Sequence, residues 1–154
     1  MELKIVLGII FWHWITDFVM QTEWQATNKS KSLYALLCHT MTYSALWFPL
    51  CSFGLFSEGS NGHIMILSIS FVLITFIFRT LTDYLTSRLN TKLVTKIRKE
   101  QIDSFQKDIV DFSPLENFYK SIGKGKWHNF FVSVGFDQVL HYVQLFVTYY
   151  LLKS

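Results

Sequence analysis

Apolar and polar positions alternate along this chain in blocks, not residue by residue. Leu3–Met20, Leu33–Phe56, Ile64–Leu85 and Phe130–Leu152 are almost uninterrupted apolar stretches, and the polar residues collect between them. Each block is long enough to cross a hydrocarbon core of ~30 Å as a helix. The pattern therefore predicts an all-α, polytopic integral membrane protein with four transmembrane helices, spanning about 3–20, 33–56, 64–85 and 130–152, in a single domain over residues 1–154. The one sizeable stretch outside these spans is about 88–126. Its first part, TKLVTKIRKEQIDSFQKDIVDF, sets Leu93, Val94, Ile97, Ile102, Phe105 and Ile109 on one helical stripe with charges opposite. That predicts an amphipathic cytoplasmic segment between helices three and four, lying on the membrane surface or packed on the bundle.

Composition agrees with a membrane chain: 51% of residues are hydrophobic, 18% aromatic and only 16% charged, with two prolines. The first block has one basic residue at its start, Lys4, and QTEWQ follows Met20 where a small-residue cleavage site would stand, so it reads as a retained helix. Cys38 and Cys51 share one block at a spacing too long to bridge on a helix, which predicts neither a disulfide framework nor a thiolate metal site. Ser113-Pro114 reads as a turn, and GKGK at 123–126 lacks the spacing and preceding strand of a phosphate-binding loop.

Basic residues set the topology. Lys29 and Lys31 follow the first span, Glu58 and no Lys or Arg fall between the second and third, and Arg88, Lys92, Lys96, Arg98, Lys99, Lys107, Lys120, Lys124 and Lys126 follow the third. Lys and Arg stay preferentially cytoplasmic, so the first and third loops face in and both termini are expected outside, in the periplasm. The formal charge of +3 is accounted for by this asymmetry, and no nucleic-acid partner is expected. Trp24, Trp47 and Trp127 lie near span ends, where interfacial aromatics are expected.

Against this background seven ionisable residues stand out inside the spans: His13 and Asp17, His39, Arg79 and Asp83, and Asp137 and His141. Each costs about 2.5–3.5 kcal/mol to place at a bilayer centre, so such groups face one another or a water-filled cavity. A rise of ~1.5 Å per residue sets Asp17 and His13 ~5 and ~11 Å from the cytoplasmic end of the first helix. The same rise sets Asp137 and His141 ~6 and ~12 Å from that side in the antiparallel fourth. HWITD and DQVLH are thus mirror images at matched depth. The i,i+4 spacing keeps each pair on one helical face, with Gln21 one turn beyond Asp17 and Gln138 beside Asp137 as polar support.

Three imidazoles and three carboxylates form a nitrogen and oxygen set suited to a divalent metal, Zn²⁺ or Mn²⁺ foremost. The expected ligands are His13, Asp17, Asp137 and His141, with His39 or Asp83 contributing; Asp83, where not a ligand, is the expected general base, and Arg79 could hold an anionic head group. The bland alternatives remain open at this level. His13–Asp17 suits a local hydrogen bond, Arg79–Asp83 an i,i+4 ion pair, His39 a satisfied polar residue between helices, and the whole set a metal-free network or proton path. His63 and His128 lie near span ends and are set aside as interfacial.

The motif HWITDFVMQ, the loop with Lys29 and Lys31, His39, the TDY around Asp83 and FDQVLH together resemble the bacterial and phage membrane-protein family catalogued as domain of unknown function 3307. The resemblance covers most of the chain and is weakest at 90–126. Its most specific pieces are His13-x3-Asp17-Phe18-x2-Gln21 and Asp137-Gln138-x2-His141; Arg79 departs from it, standing where members often carry His. The resemblance implies the bacterial inner (cytoplasmic) membrane and brings no activity with it. Two functional expectations follow. One is a metal-dependent hydrolase acting on a membrane lipid or lipid-linked substrate, its anionic head group met by the basic cytoplasmic side. The other is a non-catalytic membrane protein, phage-encoded or not. It would act through a host membrane protein on the envelope, superinfection or defence, or form an ion or proton pathway. Homo-oligomers are compatible with either.

Overall fold

The computed structural model describes residues 2–107 and 126–154, with side chains placed for 2–99 and 131–154. Helix α1 covers Leu3–Trp14 and runs straight into a π-helical turn, Ile15–Val19. A short α2 (Glu23–Asn28) and α3 (Leu33–Ala45) follow. Next come a single turn, α4 (Trp47–Leu50), and a second π turn, Cys51–Leu55. Two long helices complete the fold, α5 (Asn61–Lys107) and α6 (Lys126–Lys153). No strand occurs among the described residues, so the all-α expectation holds. Ser113-Pro114, the GKGK loop and the distal end of the amphipathic stripe lie outside the described residues.

Local chemistry explains the breaks. Thr22 and Gln25 form a reciprocal capping box: Thr22 N donates to Gln25 Oε1 at 3.0 Å and Gln25 N to Thr22 Oγ1 at 3.2 Å. The Ser32 hydroxyl caps α3 by accepting from Ala35 N. Lys29 and Lys31 are thereby held in a tight turn between two helix starts. The second apolar block is not one straight helix. Pro49 has no N–H for the Ala45 carbonyl four residues back, and the helix breaks at Leu46, whose own carbonyl accepts from Trp12 Nε1 at 3.0 Å. Gly59, at φ 120°, makes the turn into α5.

The third block does not end at residue 85. Helix α5 continues unbroken through Lys107, so the apolar stretch and the first part of the expected interfacial segment are one rod. Nothing between Leu85 and Thr91 breaks a helix, and no proline or glycine falls between Ile64 and Lys107. Within that extension Ile97 is buried and Leu93 and Val94 half-buried, while Lys92, Lys96, Arg98 and Lys99 are exposed, as the stripe predicts.

Helix α5 packs mainly on α6 and then on α3. The apolar core comprises Ile9, Tyr43, Trp47, Cys51, Leu55, Phe56, Phe71, Leu145 and Tyr149. Trp47 is therefore a core residue and not an interfacial one: its ring lies between Tyr43 and Phe71, at centroid distances of 6.2 and 5.5 Å. Trp24 is half exposed against Tyr34, and His63 is exposed at the start of α5. Cys38 and Cys51 are free.

Outside that core the usual arrangement of a water-soluble protein is inverted. The exposed positions include Leu3, Phe11, Trp14, Phe18, Met41, Phe53, Ile66, Leu73, Ile77, Leu81, Val139, Val143 and Leu151, while His13, Asp17, His39, Arg79, Asp83 and His141 are buried. One helix among the described residues, Asn61–Lys99 within α5, is long and apolar enough by composition to cross a membrane.

Candidate functional site

Six of the seven ionisable residues are at most 3% exposed, and Asp137 is partly buried, at the rim. All seven converge at one end of the bundle, near the α1–α2 turn. The convergence follows from the helix period: each i,i+4 pair shares a face, and antiparallel packing of α6 on α5 brings the faces together. They join as one network whose parts differ and share Asp17 and Asp83. The parts are an ion-paired centre, a hydrogen-bonded chain and a three-ligand group.

Arg79 is the centre. Its Nε donates to Asp83 Oδ2 at 3.0 Å and its Nη2 makes a close ion pair with Asp17 Oδ1, so one guanidinium bridges carboxylates from α5 and from the π turn after α1. Its carbon lies 4.3 Å from the centroid of the Tyr43 ring, a cation–π contact. His39 Nε2 stands 3.5 Å from Asp17 Oδ1 and 3.3 Å from Asp83 Oδ2, closing the group from α3. Arg79 is thus an internal counter-ion, and Nη1 is its one guanidinium nitrogen without a partner. Asp83, the expected general base, has Oδ2 on Arg79 and Oδ1 facing His141, so both its oxygens are engaged.

His13 belongs to a different unit. Tyr43 donates its hydroxyl to His13 Nδ1 at 2.7 Å, and His13 Nε2 donates to Gln138 Oε1 at 2.9 Å. Gln138 Nε2 passes the chain on to Asp17 Oδ2 at 3.4 Å. The amide oxygen requires a donor, so this network assigns the Nε2–H tautomer to a neutral His13. Both ring nitrogens are engaged, and the i,i+4 carboxylate is 3.9 Å away. His13 and Asp17, expected as metal ligands, serve here as hydrogen-bond and ion-pair partners. Gln138 links them, which is a larger role than polar support. With its amide turned to satisfy both ends, Gln21 donates to the Asp17 carbonyl at 2.9 Å and accepts from Ala26 N at 3.2 Å, supporting the backbone of the turn.

The third unit is Asp83, Asp137 and His141, one ligand atom from each lying within 4.8 Å of the others; this group could hold a metal ion. His141 Nε2 is 3.1 Å from Asp83 Oδ1 and 3.1 Å from Asp137 Oδ1, in ion-pair contact with both carboxylates. A buried imidazole nitrogen facing two carboxylate oxygens at this separation is placed as one of three ligands would be. Thr86 donates to Asp137 Oδ1 at 2.6 Å and fixes that carboxylate from α5. Ser87 donates to the Asp83 carbonyl. Charge points the same way: three carboxylates outnumber the one buried guanidinium, so added positive charge at this group is favourable.

A cavity of about 170 Å³ opens onto this group; Asp17, Asp83 and Asp137 line it, with Gln21, Lys29 and Asn90 among the polar residues and Phe18 and Val134 among the apolar ones. Tyr43 and Thr86 were not among the candidate residues. Tyr43 lies four residues after His39 and Thr86 three after Asp83, so the spacing that groups the acids and imidazoles also carries them.

No family model, no curated protein and no solved structure matches the chain, so fold and site stand on their own geometry.

Proposed function

We propose that the protein is a polytopic membrane protein, of the bacterial family its motifs resemble, carrying an intramembrane divalent-metal site, and that it hydrolyses a lipid or lipid-linked substrate. The observation that carries the metal is the convergence of buried His141 Nε2 on one carboxylate oxygen each of Asp83 and Asp137, 3.1 Å from both. Four spans in the inner membrane, with both termini periplasmic, are supported by the exposed apolar faces of α1, α3, α5 and α6 around a polar interior and by the basic loops at the site's end. The group of Asp83, Asp137 and His141 suits Zn²⁺ or Mn²⁺.

A divalent ion held there would lower the pKa of a water and polarise a phosphoryl or carbonyl oxygen. The chain's own residues do the rest. Asp137 Oδ2, whose nearest donor is Gln138 Nε2 at 3.5 Å, is the least engaged carboxylate oxygen beside the cavity and the proton acceptor in this reading. Arg79 holds Asp83 and Asp17 in place. Elemental analysis of protein purified without chelator tests the proposal. One equivalent of metal is expected, lost in His141→Ala and in Asp137→Asn. Metal-free protein that still performs its cellular role would sink it.

A second reading is favoured by the Tyr43–His13–Gln138–Asp17 chain, a continuous hydrogen-bonded path from the core toward the cavity. Under it the protein is non-catalytic and conducts protons. Proton flux into liposomes, abolished by Tyr43→Phe, distinguishes this from hydrolysis.

A further inference from the structure

The cavity has features that the three ligating groups do not use. Lys29, at the C-terminal end of α2, lines it, and its amine makes no hydrogen bond or ion pair among the described residues, although three carboxylates line the same space. Asn90 lines it from α5, and its Oδ1 is fully buried with no donor. A buried amide oxygen without a donor costs about 1–3 kcal/mol, so this atom calls for an O–H or N–H from whatever occupies the cavity. Phe18 and Val134 form apolar walls, and Phe18 is 55% exposed on the outer face, so the opening is continuous with the apolar exterior. The volume, about 170 Å³, is roughly ten times what one water needs, enough for a small head group.

We propose that this cavity is a head-group subsite for a phosphodiester bearing a hydroxyl or amine donor, with Lys29 holding the phosphate and Asn90 Oδ1 accepting from the donor. The chemistry follows from the pair. An ammonium near Asp17 that touches no carboxylate is free to take an anion lying between it and a cation at Asp83, Asp137 and His141. An acceptor with no donor selects a ligand that brings one. The apolar wall lets acyl chains stay outside while the head group enters. The substrate class rests on the hydrolase reading above; binding at Lys29 and Asn90 can be measured without turnover.

The test uses the full chain in detergent micelles, with metal content measured on every sample. Three probes are titrated: dihexanoyl phosphatidylglycerol, dihexanoyl phosphatidylcholine and inorganic phosphate. The wild type is expected to bind phosphatidylglycerol best. Lys29→Gln should weaken that binding roughly tenfold or more, as expected for loss of a charge-assisted contact, and Lys29→Arg should retain it. Asn90→Ala should erase the preference for phosphatidylglycerol over phosphatidylcholine, which has no donor. Inorganic phosphate bound as tightly as phosphatidylglycerol would assign the same subsite to a soluble phosphate. Unchanged binding in Lys29→Gln, or no binding of any probe by the wild type, overturns the proposal. Metal content separates the two readings: Lys29-dependent binding by metal-free protein sinks only the metal site, and metal without Lys29-dependent binding sinks only the subsite.

Discussion

The two halves of the bundle interior are built from the same four segments and by opposite means. In one half Trp47, Phe71, Phe56 and Tyr149 pack ring on ring, with Phe56 and Tyr149 stacked at 5.8 Å beside Ile9, Cys51 and Leu145. In the other, one to three turns along each helix, the same faces carry His13, Asp17, His39, Arg79, Asp83 and His141. Tyr43 joins them: its ring belongs to the core, its hydroxyl reaches His13 and its face lies under Arg79. Lipid is as apolar as leucine, so on the four-span reading the aromatic half holds the helices together through close packing more than through escape from water. It tolerates neighbours of similar shape. The polar half tolerates few, because each group left without its partner is a buried charge or an orphaned dipole. The aromatic half thus supplies cohesion, and the polar half dictates register.

Substitutions in each half sharpen this contrast. Arg79→Leu has the largest expected effect, because Asp17 and Asp83 lose the cation between them: roughly 3–5 kcal/mol of stability, read by denaturant unfolding in micelles. A variant as stable as the wild type would remove Arg79 as the tie between halves. Trp47→Ala, in the aromatic half, should cost about 3 kcal/mol through the cavity it leaves, with metal content unchanged. His13→Ala should cost about 1–3 kcal/mol, since the Tyr43 hydroxyl and the Gln138 amide both lose a partner, and should also leave metal in place. His141→Ala is set apart by metal: it leaves Asp83 and Asp137 without the imidazole between them, about 1–3 kcal/mol in metal-free protein, and bound metal disappears. If His13→Ala lost metal and His141→Ala kept it, the division of the polar half would be wrong.

Much of this arrangement is legible in the residues. Block hydropathy predicts the long helices, and the i,i+4 spacing of His13–Asp17, Arg79–Asp83 and Asp137–His141 predicts that they converge at one end. Which partner each residue takes is not legible. The mirror of HWITD and DQVLH suggests four equivalent ligands, but the π turn at Ile15–Val19 widens the helix where Asp17 sits, and Asp17 pairs with Arg79 across to α5. Hydropathy has no signature for one extra residue in a turn. Arg79 reads equally as a head-group clamp or an ion-pair partner until its depth is known. Its burial between two carboxylates, facing the Tyr43 ring, decides for the second. Trp47 reads as interfacial from its residue type alone, yet the chain continues past the turn at Trp47–Leu50 and carries the indole inward.

The unbroken run of α5 has a mechanical side. From Asp83 to Lys107 the helix extends ~36 Å with no hinge residue inside it. Thr86 and Ser87, which fix Asp137 and the Asp83 carbonyl, ride on the first turn of that length. Asp83, Thr86 and Ser87 therefore sit on one stiff frame, and a rotation of this helix would move all three together relative to His141 on α6.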